Sequence, residues 1–163
     1  MKIISIIILC CAMLWCSCTD RDTATKVIYL EKLDHKGIAD IDMQLKPVWY
    51  QYALLENPPA NIDSLRQLIV HYCDSMVNTT AVEGHYTRYL IRFFNYSDNT
   101  KGYVNGKEDF MDVHTNISQE IEDYRGEYRY ETCKDDTLHG TWSVEVKTGD
   151  VFRRDTLKNN CKN

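Results

Sequence analysis

Between Ile62 and Met76 apolar side chains recur every three or four residues, at Ile62, Leu65, Leu68, Ile69, Tyr72, Cys73 and Met76. That spacing lines one face of a helix. Asn61 stands in front of it as an N-cap and Asp63 places a carboxylate in the first turn, where it complements the helix dipole. The pattern predicts a helix over about residues 62–78. Downstream the period shortens. "HYTRYLIRFFNYS" is rich in aromatic and branched residues, with Tyr89, Ile91 and Phe93 on one side and Leu90 and Phe94 on the other, so it reads as a strand buried on both faces. "EYRYETC", "GTWSVEVK" and "DVFRRDTL" are three further strand candidates, and "KDDTLH" and "TGD" between them are turns, which predicts an antiparallel C-terminal meander.

Two stretches are less regular. From Val27 to Leu55 the period is mixed, and "PVWYQYALLEN", closed by Pro58-Pro59, is the better helical candidate. "SDNTKG" and "VNGK" are turn sequences, with Asn105-Gly106 a strong hairpin signal. Beyond it Phe110, Val113, Ile117, Ile121 and Tyr124 keep helical spacing, while Val113, Thr115 and Ile117 fit a strand, and both readings stay open. A helix followed by consecutive strands predicts an α+β domain: one or two helices packed on an antiparallel sheet that ends in the meander. A β-sandwich with one helical excursion is the alternative.

The first residues follow another logic. One basic residue, Lys2, precedes an apolar run from Ile3 to Trp15, and charges return only at Asp20, Arg21 and Asp22. The run is too short to span a bilayer and has the order of a secretory signal. Leu14-Trp15-Cys16-Ser17-Cys18 resembles the lipobox of Bacteroidota-type exported lipoproteins, with small Ser17 before Cys18. The resemblance covers only this N-terminal segment, and it implies a signal peptide at 1–17, cleavage before Cys18 and lipid attachment to its thiol. Acyl chains contributing about 0.8 kcal/mol per buried CH₂ would hold the domain to the membrane. Residues 18–26 then read as a polar tether and 27–163 as a single domain. Five tripeptides of Asp, hydroxyl residue and aliphatic or Met resemble the acceptor motif of the Bacteroidota O-glycosylation system, with Thr23, Ser64, Ser75, Thr137 and Thr156 as the hydroxyl residues. Asp-Ser and Asp-Thr are also ordinary cap and turn pairs, the expected role at Asp63 and Asp74 within the helix.

Composition narrows the partners. Without the signal, 18 basic residues face 24 acidic ones, a formal charge of −6. Nucleic acid needs a dense basic footprint and is excluded, as is a polybasic grip on anionic lipid. Three cysteines remain beside Cys18, and an exported domain can oxidise them. Cys133 and Cys161 are the favoured disulfide pair, because both lie outside the helix that carries Cys73, and three unpaired thiols are the alternative.

No cofactor is expected. His35, His71, His85, His114 and His139 are scattered without metal-ligand spacing, though Glu83 and His85, or Asp109, Asp112 and His114, would bind a metal if the fold gathered them. "DNTKGYVNGKED" lacks the oxygen ligands of a calcium loop, and there is no nucleophile elbow or phosphate loop, so catalysis is unsupported. Of the 11 tyrosines, Tyr86, Tyr89, Tyr128 and Tyr130 are expected with Trp142 in a strand-rich core, and Tyr50, Tyr52 and Tyr103 as exposed contacts. Two functions fit. One is a non-catalytic protein-binding or inhibitory module at the outer membrane, facing periplasm or cell surface, that engages an envelope protein or a toxin. The other is surface glycan binding or hydrolysis.

Overall fold

The computed structural model describes residues 24–105 and 122–161. Seven strands form one sheet: β1 (Lys26–Tyr29), β2 (His35–Ile41), β3 (Gln44–Glu56), β4 (Arg88–Asn95), β5 (Tyr124–Cys133), β6 (Asp136–Thr148) and β7 (Val151–Asn159). Helix α1 (Ile62–Met76) is the only described helix longer than one turn; α2 (Thr79–Val82) and α3 (Lys101–Val104) are single turns. The order is β1-β3-β4-β5-β6-β7, and β2 pairs with the same edge of β3 as β1, over Gln44–Tyr50 where β1 takes Ala53–Glu56. Strands β3 and β4 run parallel, joined by the crossover through α1 and α2, and all other pairs are antiparallel.

This overturns the expected α+β class. The molecule is mostly β, its sheet is mixed rather than antiparallel, and the described strands form one sheet rather than a sandwich. The decisive misreading is "PVWYQYALLEN", which belongs to β3 and not to a helix. Tyr52 and Leu54 bury on one face of the strand, Ala53 and Leu55 on the other, so the run is continuously apolar and shows no alternation. Pro47 is tolerated because β4 pairing starts only at Val48, leaving no ladder bond for a proline to spoil.

Other elements follow the sequence. Asn61 Oδ1 accepts from the backbone N–H of Asp63 and of Ser64, capping α1. Leu65, Ile69 and Cys73 of α1 bury against Tyr89, Ile91, Phe93, Tyr128, Tyr130, Trp142, Val144 and Val146 on one face of the sheet. Gly126 permits the approach: a Cβ there would stand 3.1 Å from Ile69 Cδ1 and 2.2 Å from the Glu145 carbonyl oxygen. The opposite face carries a smaller core of Leu30, Leu33, Tyr52, Leu54, Phe94 and Tyr103. The C-terminal strands make an antiparallel meander, β5-β6-β7. The segment holding Phe110, Val113 and Ile117 lies outside the described residues.

Candidate interaction surface

Strands β2 and β3 continue past the end of β4 as a two-stranded arm. The turn between them, Asp42-Met43, has φ of 53° and 60°, a two-residue left-handed turn whose twist suits a hairpin. Such turns favour Asn-Gly, and here an aspartate and a methionine occupy both left-handed positions at a steric cost. Pairing of β3 with β4 begins at Val48, so Gln44–Pro47 and their β2 partners project from the sheet. The arm leaves Ile38 70%, Leu45 79% and Met43 94% exposed. Alternation places Lys36, Ile38 and Asp40 on the side of α1, beside their β3 partners Trp49, Pro47 and Leu45.

The base of the arm is firmly held while its tip is open. Trp49 packs against Tyr86 and Tyr89 at centroid distances of 5.6 and 5.2 Å, and Lys36 Nζ sits 4.1 Å over the Trp49 ring. Beneath it buried Gln51 is a polar hub: its amide donates to the Tyr29 hydroxyl and, at 2.9 Å, to Asp34 Oδ2, and it accepts from the Tyr89 hydroxyl at 2.5 Å. Burial first, then the Asp34 carboxylate, pushes the Tyr29 phenol up out of the physiological range. The Tyr29 and Tyr89 hydroxyls therefore keep their protons, and the network ties β1, β3 and β4 together. Where β3 and β5 both outrun β4, a cleft of about 290 Å³ opens between them, rimmed by Asp42, Lys46, Glu131 and Lys134 with the 2.9 Å Arg88–Glu131 pair at its side. Thr87 closes its floor, donating to the Pro47 carbonyl and accepting from Thr132 N–H.

A second cleft, about 420 Å³, lies between α1 and the last two strands, lined by Val70, Asp74, Thr79, Tyr128, Trp142 and Lys158, with Leu157 at its edge. Its polar groups are occupied. Trp142 Nε1 donates to Glu83 Oε1 at 2.8 Å, Lys158 Nζ reaches the same oxygen at 3.1 Å, and the Tyr128 hydroxyl donates to Asp74. The Trp142 hydrogen bond, with Lys158, holds the Glu83 carboxyl below the usual range. That is opposite to the raised pKa of a catalytic acid. Trp142 and Tyr128 are buried in the wall, so neither offers a flat ring for a sugar.

Residues singled out by the sequence are distributed as follows. Cys18 and Thr23 lie outside the described residues; Ser64 and Ser75 on α1, Thr137 on β6 and Thr156 on β7 are all exposed. Their aspartates have structural partners: Asp63 pairs with Arg153, Asp74 with Tyr128, Asp155 with Arg66 and Arg153, and Asp136 caps its turn at Leu138 N–H. Cys133 and Cys161 are disulfide-bonded with Cα atoms 5.6 Å apart, tying the end of β5 to the segment after β7. Cys73 is buried and free, its thiol pushed up by burial. Among the described residues no three His, Cys, Asp or Glu side chains gather to hold a metal; Asp109, Asp112 and His114 lie outside them. Tyr89, Tyr128, Tyr130 and Trp142 are core residues and Tyr86 is half-buried. The expectation for Tyr52 and Tyr103 is corrected: both are buried in the second core, since Tyr52 sits mid-strand and Tyr103 packs from α3. Tyr50 is half-buried and its ring stacks with His35.

The arm itself escaped the sequence reading. Its signal is the strict alternation in Asp40-Ile41-Asp42-Met43-Gln44-Leu45, hidden because Asp-Met is not a turn signature. Compared with protein-family models, with curated proteins and with solved structures, the chain matches none.

Proposed function

We propose that this chain is an outer-membrane lipoprotein, anchored through Cys18, whose domain is a non-catalytic protein-binding or inhibitory module. The observation that carries the reading is the β2–β3 arm. Ile38, Met43 and Leu45 form an exposed apolar patch on a projection whose base is fixed by Trp49 and Gln51. A methionine kept in a left-handed turn, where glycine would relieve strain, is a local rule broken at an exposed site, and such breaks mark functional positions. Lipid anchoring leaves the arm clear. β1 enters opposite Glu56, at the far end of the 13-residue strand β3, about 40 Å from the turn at 3.3 Å per residue.

The glycan reading draws less support, because the tyrosines and Trp142 that would supply a stacking platform are packed in the core. The test is photo-crosslinking in cells that carry the full chain with a photoactivatable phenylalanine analogue in place of Met43, and, as a control, in place of exposed Gln67 of α1. A discrete protein adduct from position 43 and none from position 67 is expected. No protein adduct from position 43, with the lipoprotein present at normal abundance, removes the reading.

A further inference from the structure

We propose that the open edge of β2 pairs with the same edge of a second copy of this chain, antiparallel and centred on Ile38. The inference rests on reading the arm as a protein-contact surface and names the occupant of its edge. It starts from hydrogen-bond parity. A two-residue turn makes its closing pair, Ile41 and Gln44, a hydrogen-bonded pair, so Ala39, Gly37 and His35 also direct their backbone groups toward β3. The Pro47 carbonyl agrees: it points away from β2 and accepts from Thr87 N–H. The N–H and C=O groups of Lys36, Ile38 and Asp40 therefore face outward, and no described residue bonds to them.

Those three residues are self-complementary. Antiparallel pairing of two β2 strands about Ile38 sets Ile38 opposite Ile38 of the second copy and Lys36 opposite its Asp40, twice by symmetry. Every outward backbone group finds a partner in this register. Gly37 falls opposite Ala39, small residues at the positions where antiparallel strands approach most closely. A shift of two residues sets Ile38 against Asp40 or against Lys36 and breaks both Lys36–Asp40 pairs. The only carboxylate it offers Lys36 is Asp42, which lies in the left-handed turn beyond the end of the strand, so the centred register is favoured. The side chains on the α1 side then make continuous rows across the junction: Leu45, Asp40, Lys36 and Trp49 in one, Pro47, Ile38, Ile38 and Pro47 in the next. Lys36, already over Trp49, would sit between that ring and the incoming carboxylate.

The other edge of the sheet is built differently. β7 carries Arg153, Arg154, Asp155 and Lys158 along an exposed strand, the charged decoration that deters strand addition, whereas β2 carries only the complementary Lys36 and Asp40. The dyad stands normal to the sheet and puts the two tethers at opposite ends of the pair, away from the junction at Ile38.

The experiment co-expresses two differently tagged copies of the full lipidated chain and measures recovery of one with the other after solubilising the membranes. Wild-type copies are expected to co-purify. Lys36→Asp alone sets two like-charge pairs in the junction, as does Asp40→Lys, and each is expected to lower recovery about tenfold. The double variant Lys36→Asp/Asp40→Lys, and a mixture of the two single variants, restore the opposite charges and are expected to restore recovery. Because Asp40→Lys leaves the Lys36–Trp49 contact in place, it separates loss of pairing from damage to the arm. Wild-type copies that do not associate, or single reversals that associate undiminished, overturn the proposal. In that case an adduct from position 43 to a different protein leaves the wider reading standing, and the absence of any adduct removes both.

Discussion

The two faces of the sheet are made by the same strands and are held by different physics. On the α1 side β4, β5 and β6 present Tyr89, Ile91, Phe93, Tyr128, Tyr130, Trp142, Val144 and Val146, packed without a charge among them. One residue along, the same strands present Arg88, Arg92, Glu127, Arg129, Glu131 and Glu145. Glu127 is buried there between Arg92, 3.4 Å away, and Arg129, which it contacts closely, while Arg129 also reaches Glu131 and the Tyr124 hydroxyl donates to Glu145. The period of two in a strand allows this division, and it teaches where stability resides. Apolar burial is non-directional and contributes on every residue covered; a buried ion pair largely repays its own desolvation and is most visible when broken.

That contrast ranks the effects of substitution. Trp142 touches Tyr89, Tyr128 and Tyr130 and is the largest fully buried side chain, so Trp142→Ala is expected to cost about 3–5 kcal/mol, read as a lowered urea midpoint with unchanged slope. Trp142→Phe, which keeps most of the volume and loses only the bond to Glu83, should cost well under half of that. On the charged face Glu127→Ala takes the carboxylate from Arg92 and the nearer of two carboxylates from Arg129. Full burial of both arginines would make this as costly as the tryptophan, but their side chains are 31% and 22% exposed, so about 2 kcal/mol is expected in the same titration. A Glu127→Ala loss equal to that of Trp142→Ala would mean that the charged cluster beside the smaller core holds the fold as firmly as the apolar packing under α1 does.

Elements that rely on local chemistry were legible before the fold was known. Asn61 and the three-and-four spacing of Leu65, Ile69 and Cys73 define α1 without help from the rest of the chain, alternation marks β5 and β6, and the turn before Val151 marks β7. Strand β3 was not legible, because burial on both faces erases the alternation that distinguishes a strand. Its parallel pairing with β4 was equally hidden: nothing local in "RYLIRFFN" specifies a neighbour reached only through the α1 crossover. Tyr52 and Tyr103 were misplaced for the same reason, since the second core that covers them is assembled from distant segments at Leu30, Leu33 and Phe94. The candidate surface failed to announce itself because its turn breaks the turn rules, with Met43 where a glycine would have been readable.

A border between the two kinds of physics runs where α1 meets β7. There the apolar contacts of the helix give way to ion pairs: Arg66 of α1 reaches Asp155 at 2.5 Å, Arg153 bonds the same carboxylate at 3.0 Å, and Arg153 also reaches Asp63. The Arg66 hydrogen bond, with Arg153 adding to it, holds the Asp155 carboxyl below its ordinary value. A carboxyl whose pKa is lower folded than unfolded stabilises the fold above the unfolded value, near 4. That contribution is whole at neutral pH and is lost as pH falls through the folded value, because the unfolded chain takes up the proton first. Asp155→Asn is therefore expected to lower stability at pH 7 and to shrink its disadvantage steadily below about pH 4. Thermal unfolding of both chains from pH 7 to pH 2.5 reads this directly. If the border is ionic the two curves converge at the acid end; if apolar packing by Leu157 and Val70 already fixes β7 against the helix, they run parallel throughout. Parallel curves would move the boundary between the burial-held and charge-held parts of the molecule outward, past the last strand.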